Sequence, residues 1–126
     1  MVRTLIYNLG NDQQRKKWLP FLDTSKIIGA YAQTELGHGS DVQSLETTAT
    51  YRRQDRCFVI NTPSIKAYKW WPGELGHLSN IAIVFCSLIL DEQKIGVFPF
   101  VVQIRDFKTH EVLPGVEVGD IGPKLS

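Results

Sequence analysis

Ile81-Ala82-Ile83-Val84-Phe85-Cys86-Ser87-Leu88-Ile89-Leu90 is the longest apolar run in the chain, interrupted only by Ser87. A membrane-spanning helix needs about 20 such residues, so this run is too short to cross a bilayer. It reads as an apolar strand buried on both faces. Downstream, Asp91-Glu92-Gln93-Lys94 is a polar turn leading into a further strand over residues 96–104. Upstream, Ile28, Ala30 and Ala32 alternate with Gly29, Tyr31 and Gln33, which predicts a strand. A threonine-rich stretch at residues 46–53 predicts a second. Arg53-Gln54-Asp55-Arg56 then turns the chain back into a third strand, Cys57-Phe58-Val59-Ile60-Asn61. Residues 112–118, interrupted by Pro114-Gly115, read as a last edge strand. Short strands about 8–12 residues apart, joined by polar turns, predict a mainly β fold, an antiparallel barrel or sandwich.

Ahead of the strands, residues 11–20 read as a short helix. Asn11 or Asp12 can cap it, Arg15-Lys16-Lys17 suits its negative end, and Pro20 is expected to stop it. The residues up to Gly10 look like the tail of an earlier element. The expected division is therefore the end of a helical region at residues 1–25 and a β domain at residues 26–126.

A chain of 126 residues, 43% hydrophobic and 21% charged, suits one soluble domain. Fourteen basic against 13 acidic residues, a net charge of +1, give no pull toward nucleic acid or an anionic membrane. Cys57 and Cys86 sit in apolar stretches and are expected as small buried hydrophobes in a reducing compartment. A disulfide between them stays open. His38, His77 and His110 are scattered without zinc-site spacing, so no metal is expected. Residues 1–7 lack the apolar core and cleavage site of a secretory leader. The final Lys124-Leu125-Ser126 is not a peroxisomal Ser-Lys-Leu ending.

Two stretches point to chemistry. In Tyr31-Ala32-Gln33-Thr34-Glu35-Leu36-Gly37-His38-Gly39-Ser40-Asp41-Val42 a predicted strand runs into a glycine-rich turn. Gly37 and Gly39 would let backbone amides approach a ligand, and Thr34 and Ser40 offer hydroxyls. Such a turn suits a phosphate or a planar heterocycle, although most glycine-rich turns only reverse the chain. In Lys69-Trp70-Trp71-Pro72-Gly73-Glu74-Leu75-Gly76, adjacent tryptophans in a strand would face opposite sides. One packs inward; the other either covers a sheet edge or stacks on an aromatic ligand. Pro72 fixes the backbone, while Gly73 leaves its amide accessible.

Together these stretches resemble the acyl-CoA oxidases, flavoenzymes of the acyl-CoA dehydrogenase superfamily. Residues 31–39 look like the family's first flavin loop, with Leu45-Glu46-Thr47-Thr48-Ala49-Thr50-Tyr51 following at its spacing. Lys69-Trp70-Trp71-Pro72-Gly73 resembles the second flavin loop. Val101-Val102-Gln103-Ile104-Arg105-Asp106 and residues 113–124 resemble the strands that close the middle domain. The likeness runs from about residue 11 to the end.

The resemblance implies a middle β-barrel domain that binds FAD between two helical domains. Carried over, Thr34 would hydrogen-bond the flavin ring, helped by the backbone near Gln33, and the Gly73 amide would reach its reactive edge. Trp71 belongs to the same cofactor-binding set. Ser40 falls where relatives contact acyl-CoA or cofactor phosphate. The implied reaction is α,β-dehydrogenation of fatty acyl-CoA, with O2 as acceptor and hydrogen peroxide as product, in peroxisomal β-oxidation by a homodimer. The family's catalytic glutamate lies in a C-terminal helical domain outside this chain, so no catalytic residue is assigned and the fragment is expected to be inactive alone. Glu35 is expected to orient backbone or hydroxyls in its loop. Family members usually read Trp-Trp-Pro-Gly-Gly-Leu-Gly-Lys, whereas this chain carries Glu74 and His77, as a weakened or altered-specificity paralogue would. A non-catalytic scaffold and an electron-transferring acyl-CoA dehydrogenase stay open as alternatives.

Overall fold

The computed structural model describes residues 1–123; Lys124-Leu125-Ser126 lies outside the described residues. The elements in chain order are helices α1 (Val2–Leu9) and α2 (Asp12–Asp23), then strands β1 (Gly29–Ala32), β2 (Thr48–Arg52), β3 (Cys57–Asn61), β4 (Ile81–Leu90) and β5 (Gln93–Gln103). Single 3-10 turns lie at Val42–Ser44 and Ile65–Ala67. The chain is thus mostly β with two short helices. Its hydrogen-bonded path is β1-β4-β2-β3, with β5 also paired to β4. β2 runs parallel to β4, through Thr48↔Ser87, Ala49↔Leu88 and Thr50↔Ile89. The sheet is therefore mixed and its path is open, which corrects the purely antiparallel expectation. A parallel pair needs a long crossover rather than a hairpin, and strand periodicity does not reveal it.

Contacts divide the chain into two compact units. The first comprises Met1–Tyr31, Gly73–Ile83 and the chain from Val101 onward. Helix α2 begins with a capping box: the Asn11 side chain accepts from the Gln14 amide at 2.9 Å, and the Gln14 side chain accepts from the Asn11 amide at 2.9 Å. Pro20 does not stop it, and Arg15 to Lys17 lie mid-helix, with no basic residue in the last turn. The Pro20 carbonyl accepts from the Thr24 amide at 3.3 Å and its hydroxyl at 2.8 Å, closing a last turn over the proline. Asn80 organises the strands here. Its side-chain oxygen accepts from the Ile28 amide at 2.9 Å, and its backbone carbonyl accepts from the amides of Ile104 and Arg105 at 2.9 and 3.1 Å. The predicted edge strand at 112–118 is absent; only an isolated bridge joins Val112 to Arg105. Pro114 and Gly115 instead form a turn closed by Val116 donating to the Leu113 carbonyl at 3.1 Å, with Gly115 at φ +79°. Proline followed by a left-handed glycine favours this turn and ends strand pairing.

The second unit comprises Ala32–Pro72 and Val84–Phe100. β2 and β3 form an antiparallel hairpin, from Thr48↔Asn61 to Arg52↔Cys57. Its exposed face carries a tilted aromatic set, with Phe58 5.1 Å from Tyr51 and 5.2 Å from Phe100. Cys57 is exposed, which corrects its expected burial; Cys86 is buried, and both thiols are free. Cys57 opens an edge strand, where one side of the ladder meets solvent. The turn after β4 is tighter than predicted: Asp91 and Glu92 both take positive φ, at +47° and +64°, and β5 begins at Gln93. That conformation matches the twist of a two-residue hairpin loop.

Candidate functional site

In the second unit the glycine-rich stretch and the segment before the tryptophans are laced together. The amides of Leu36 and Gly37 donate to the carbonyls of Tyr68 and Lys66, both at 2.8 Å, and the Trp70 amide donates to the Thr34 carbonyl at 2.9 Å. A Cβ on Gly37 would lie 3.1 Å from the Lys66 Cβ, so glycine there permits close approach of two backbones. Its amide is taken by the protein itself, which corrects the expectation that Gly37 offers it to a ligand. Thr34 and Gln33 are half-buried and Ser40 is exposed. The Thr34 methyl lies against Gly39, 3.4 Å from where a Cβ would stand.

Glu35 lies beneath this loop, 2% exposed. Its Oε2 accepts from the Glu46 amide and its Oε1 from the Thr47 amide, both at 2.9 Å. Lys69 Nζ meets Oε1 at 2.9 Å and also donates to the Gln33 carbonyl at 3.0 Å. Burial alone would raise the Glu35 pKa; the Glu46 amide, Lys69 and Thr47 outweigh it and hold the carboxyl below its usual value. For Lys69, burial pushes the pKa down and Glu35 opposes it. The buried Cys86 thiol is pushed up to about 12, chiefly by burial, and stays protonated. Glu35 therefore orients backbone amides, as its place in the loop implied. Sequence reasoning assigned Lys69 no role; a lysine in an otherwise aromatic, proline-bounded segment was its only signal.

The tryptophans do not lie in a strand. Trp70 is half-buried, while Trp71 is 71% exposed at φ +76°. The expected opposition of two strand faces is replaced by a backbone twist that leaves the second ring in solvent. A shallow recess of about 270 Å³ at the hairpin ends, lined by Tyr51, Arg53, Phe58, Leu90 and Asp91, contains none of the predicted site residues.

In the first unit, a Cβ on Gly73 would meet nothing within 4 Å, so its backbone is openly approachable. The residues after it form a compact turn: the Glu74 carbonyl accepts from the amides of Leu78 and Ser79 at 2.8 and 3.0 Å. Arg105, 3% exposed, holds that turn from within. Its guanidinium donates to the carbonyls of Leu75, Gly76 and Ser79 at 2.9, 2.8 and 2.6 Å. Sequence reasoning missed it, because an arginine ending a strand gives no sign of partners so distant in the chain. His77 meets Asp120 at 3.0 Å.

Residues 30–126, which include the locked turn and the Lys-Trp-Trp-Pro segment, match the acyl-CoA dehydrogenase middle domain, and the chain belongs to that family. Within it, the chain is similar to acyl-CoA oxidases. It is 51% identical to the Caenorhabditis elegans acyl-coenzyme A oxidase acox-1.3 over 125 residues, 99% of this chain and 19% of that protein. It is also 51% identical to the Arabidopsis thaliana peroxisomal acyl-coenzyme A oxidase 1 over 116 residues, 92% of this chain and 18% of that protein. The structure of Caenorhabditis elegans acyl-CoA oxidase-2, bound with FAD, ascaroside-CoA and ATP, superposes with a TM-score of 0.97 at 48% identity. That match covers 98% of this chain and 19% of the other. The chain thus spans about a fifth of the length of these relatives.

Proposed function

We propose that this chain is the flavin-supporting middle domain of a peroxisomal acyl-CoA oxidase that desaturates fatty acyl-CoA at Cα and Cβ. The carrying observation is the locked Thr34 loop, in a chain about half identical over nearly its whole length to acyl-CoA oxidases. Its residues fit a flavin. Thr34, half-buried itself, brings a hydroxyl to the turn, with half-buried Gln33 beside it. Trp71 offers an exposed ring for stacking. Gly73 adds an exposed backbone amide. Ser40, exposed just past the turn, is proposed to contact acyl-CoA.

When bound, FAD supplies the hydride acceptor and passes electrons to O2, giving hydrogen peroxide. This chain's part is to bind and orient the ring and to keep its own carboxylates out of the chemistry. Glu35 cannot be the base that removes the α-proton, because two backbone amides and Lys69 already occupy it. The base is proposed to lie in a part of a longer protein, working as a homodimer, and the isolated chain is proposed to be inactive.

Purified full-length protein tests this. A yellow product with a flavin spectrum that consumes O2 and releases peroxide on addition of fatty acyl-CoA is expected. Turnover only with an added electron acceptor would place it among the dehydrogenases instead. A colourless, flavin-free protein would sink the reading.

A further inference from the structure

We infer that Lys69 is a positioning residue for the proposed flavin loop: held by Glu35, its ammonium draws the Gln33 carbonyl inward and so turns the Thr34 amide outward. The inference rests on the reading of Thr34 as a flavin-facing donor and adds how that donor is aimed. The Lys69 side chain is 10% exposed and that of Glu35 is fully buried. The ammonium bridges two oxygens of different kinds, Glu35 Oε1 at 2.9 Å and the Gln33 carbonyl at 3.0 Å. A trans peptide is planar, with its C=O and N–H pointing opposite ways. No peptide among the described residues is cis. Fixing the Gln33 oxygen on Lys69 therefore fixes the Thr34 N–H on the far side of the same plane. The following peptide is held as well, since the Thr34 carbonyl accepts from Trp70 at 2.9 Å. Thr34 is thus gripped through both flanking carbonyls, and its hydroxyl is placed by a methyl that packs toward Gly39.

Stability does not explain this pair. A buried ion pair seldom outperforms an apolar pair of the same volume, because desolvating both charges offsets their attraction. Glu35 alone could serve the Glu46 and Thr47 amides. What an apolar partner could not do is hold the Gln33 carbonyl. The ammonium is the group that ties the buried carboxylate to the loop's aim.

The test uses full-length protein carrying Lys69→Met, which keeps an unbranched side chain one atom shorter and removes its charge. With wild-type flavin content as the reference, flavin retention is expected to weaken about tenfold or more, as loss of a charged hydrogen bond does. The flavin absorption bands and reduction potential should shift with it. A merely structural lysine would lower stability without altering the flavin, so the decisive readout is the spectrum and potential of folded protein. Thr34→Val removes the hydroxyl and keeps the backbone amide, so Lys69→Met should still shift the potential in that background. If Lys69→Met does not fold, Lys69→Arg carries the measurement. It keeps a cation beside Glu35 but replaces a point ammonium with a planar fork, so the spectrum should still move. A folded variant with wild-type spectrum, potential and flavin retention overturns the inference, as does a Lys69→Met shift that vanishes in the Thr34→Val background. A wild-type protein without flavin overturns the functional reading itself, and is told apart by needing no variant.

Discussion

Glu74 stands at φ +64°, in the left-handed region where its carbonyl anchors the turn that Leu78 and Ser79 close. A side chain there costs about 1–2 kcal/mol that glycine would not. Glycine would make the unfolded chain more flexible, offsetting about 0.4–1 kcal/mol of the gain. Glu74→Gly is therefore expected to raise the melting temperature of the full-length protein slightly, and an unchanged or lower value would contradict the strain argument. The glycine that the resemblance leads one to expect here would have a conformational reason. Glu74 also adds a carboxylate to the proposed flavin-loop segment, and negative charge near a ring that becomes anionic disfavours reduction. If Glu74 weakens the parent enzyme, Glu74→Gly should speed peroxide release as well. Ordinary oxidase activity that is unchanged by the substitution would end the idea of a weakened paralogue.

At the scale of elements, the turn after Gly73 depends on Arg105, one side chain serving three carbonyls. No carboxylate is among those partners, so the carbonyls themselves solvate the charge. Arg105→Met would strand three acceptors, and a loss of about 3 kcal/mol is expected. Urea denaturation should show it, with faster amide exchange concentrated in the turn from Glu74 to Ser79. A loss under about 0.5 kcal/mol, typical of an ordinary surface position, would show that water replaces the guanidinium without cost. Elements were the most legible level in the sequence. β3 falls at the predicted residues 57–61 and β4 at 81–90, because apolar pattern and bounding turns are local properties. A cap at Asn11 or Asp12 was legible for the same reason, and the structure uses Asn11. Pro20 was not, since the last turn of α2 closes through Thr24, beyond the residue expected to end it. The edge strand at 112–118 failed because a Pro-Gly turn outweighed its valines.

For the whole molecule, a cofactor that binds the folded state alone must stabilise it by mass action. Flavin stripped from the full-length protein is expected to lower its melting temperature. Restoring FAD at about one hundred times its dissociation constant should return about 2.7 kcal/mol. A melting temperature indifferent to FAD would mean that the proposed loops hold no cofactor in the native protein. Strands β3 and β4, the helix start and the family's loop motifs were determined by sequence alone, because each is written in residues close together in the chain. Tertiary structure decided that β2 runs parallel to β4, that Trp71 stands in solvent, and that Arg105 grips a turn about 30 residues away. It also decided that Glu35 and Lys69, 34 residues apart, meet beneath the Thr34 loop. Which charge a buried carboxylate finds depends on how distant segments pack, and neither periodicity nor a local motif encodes that.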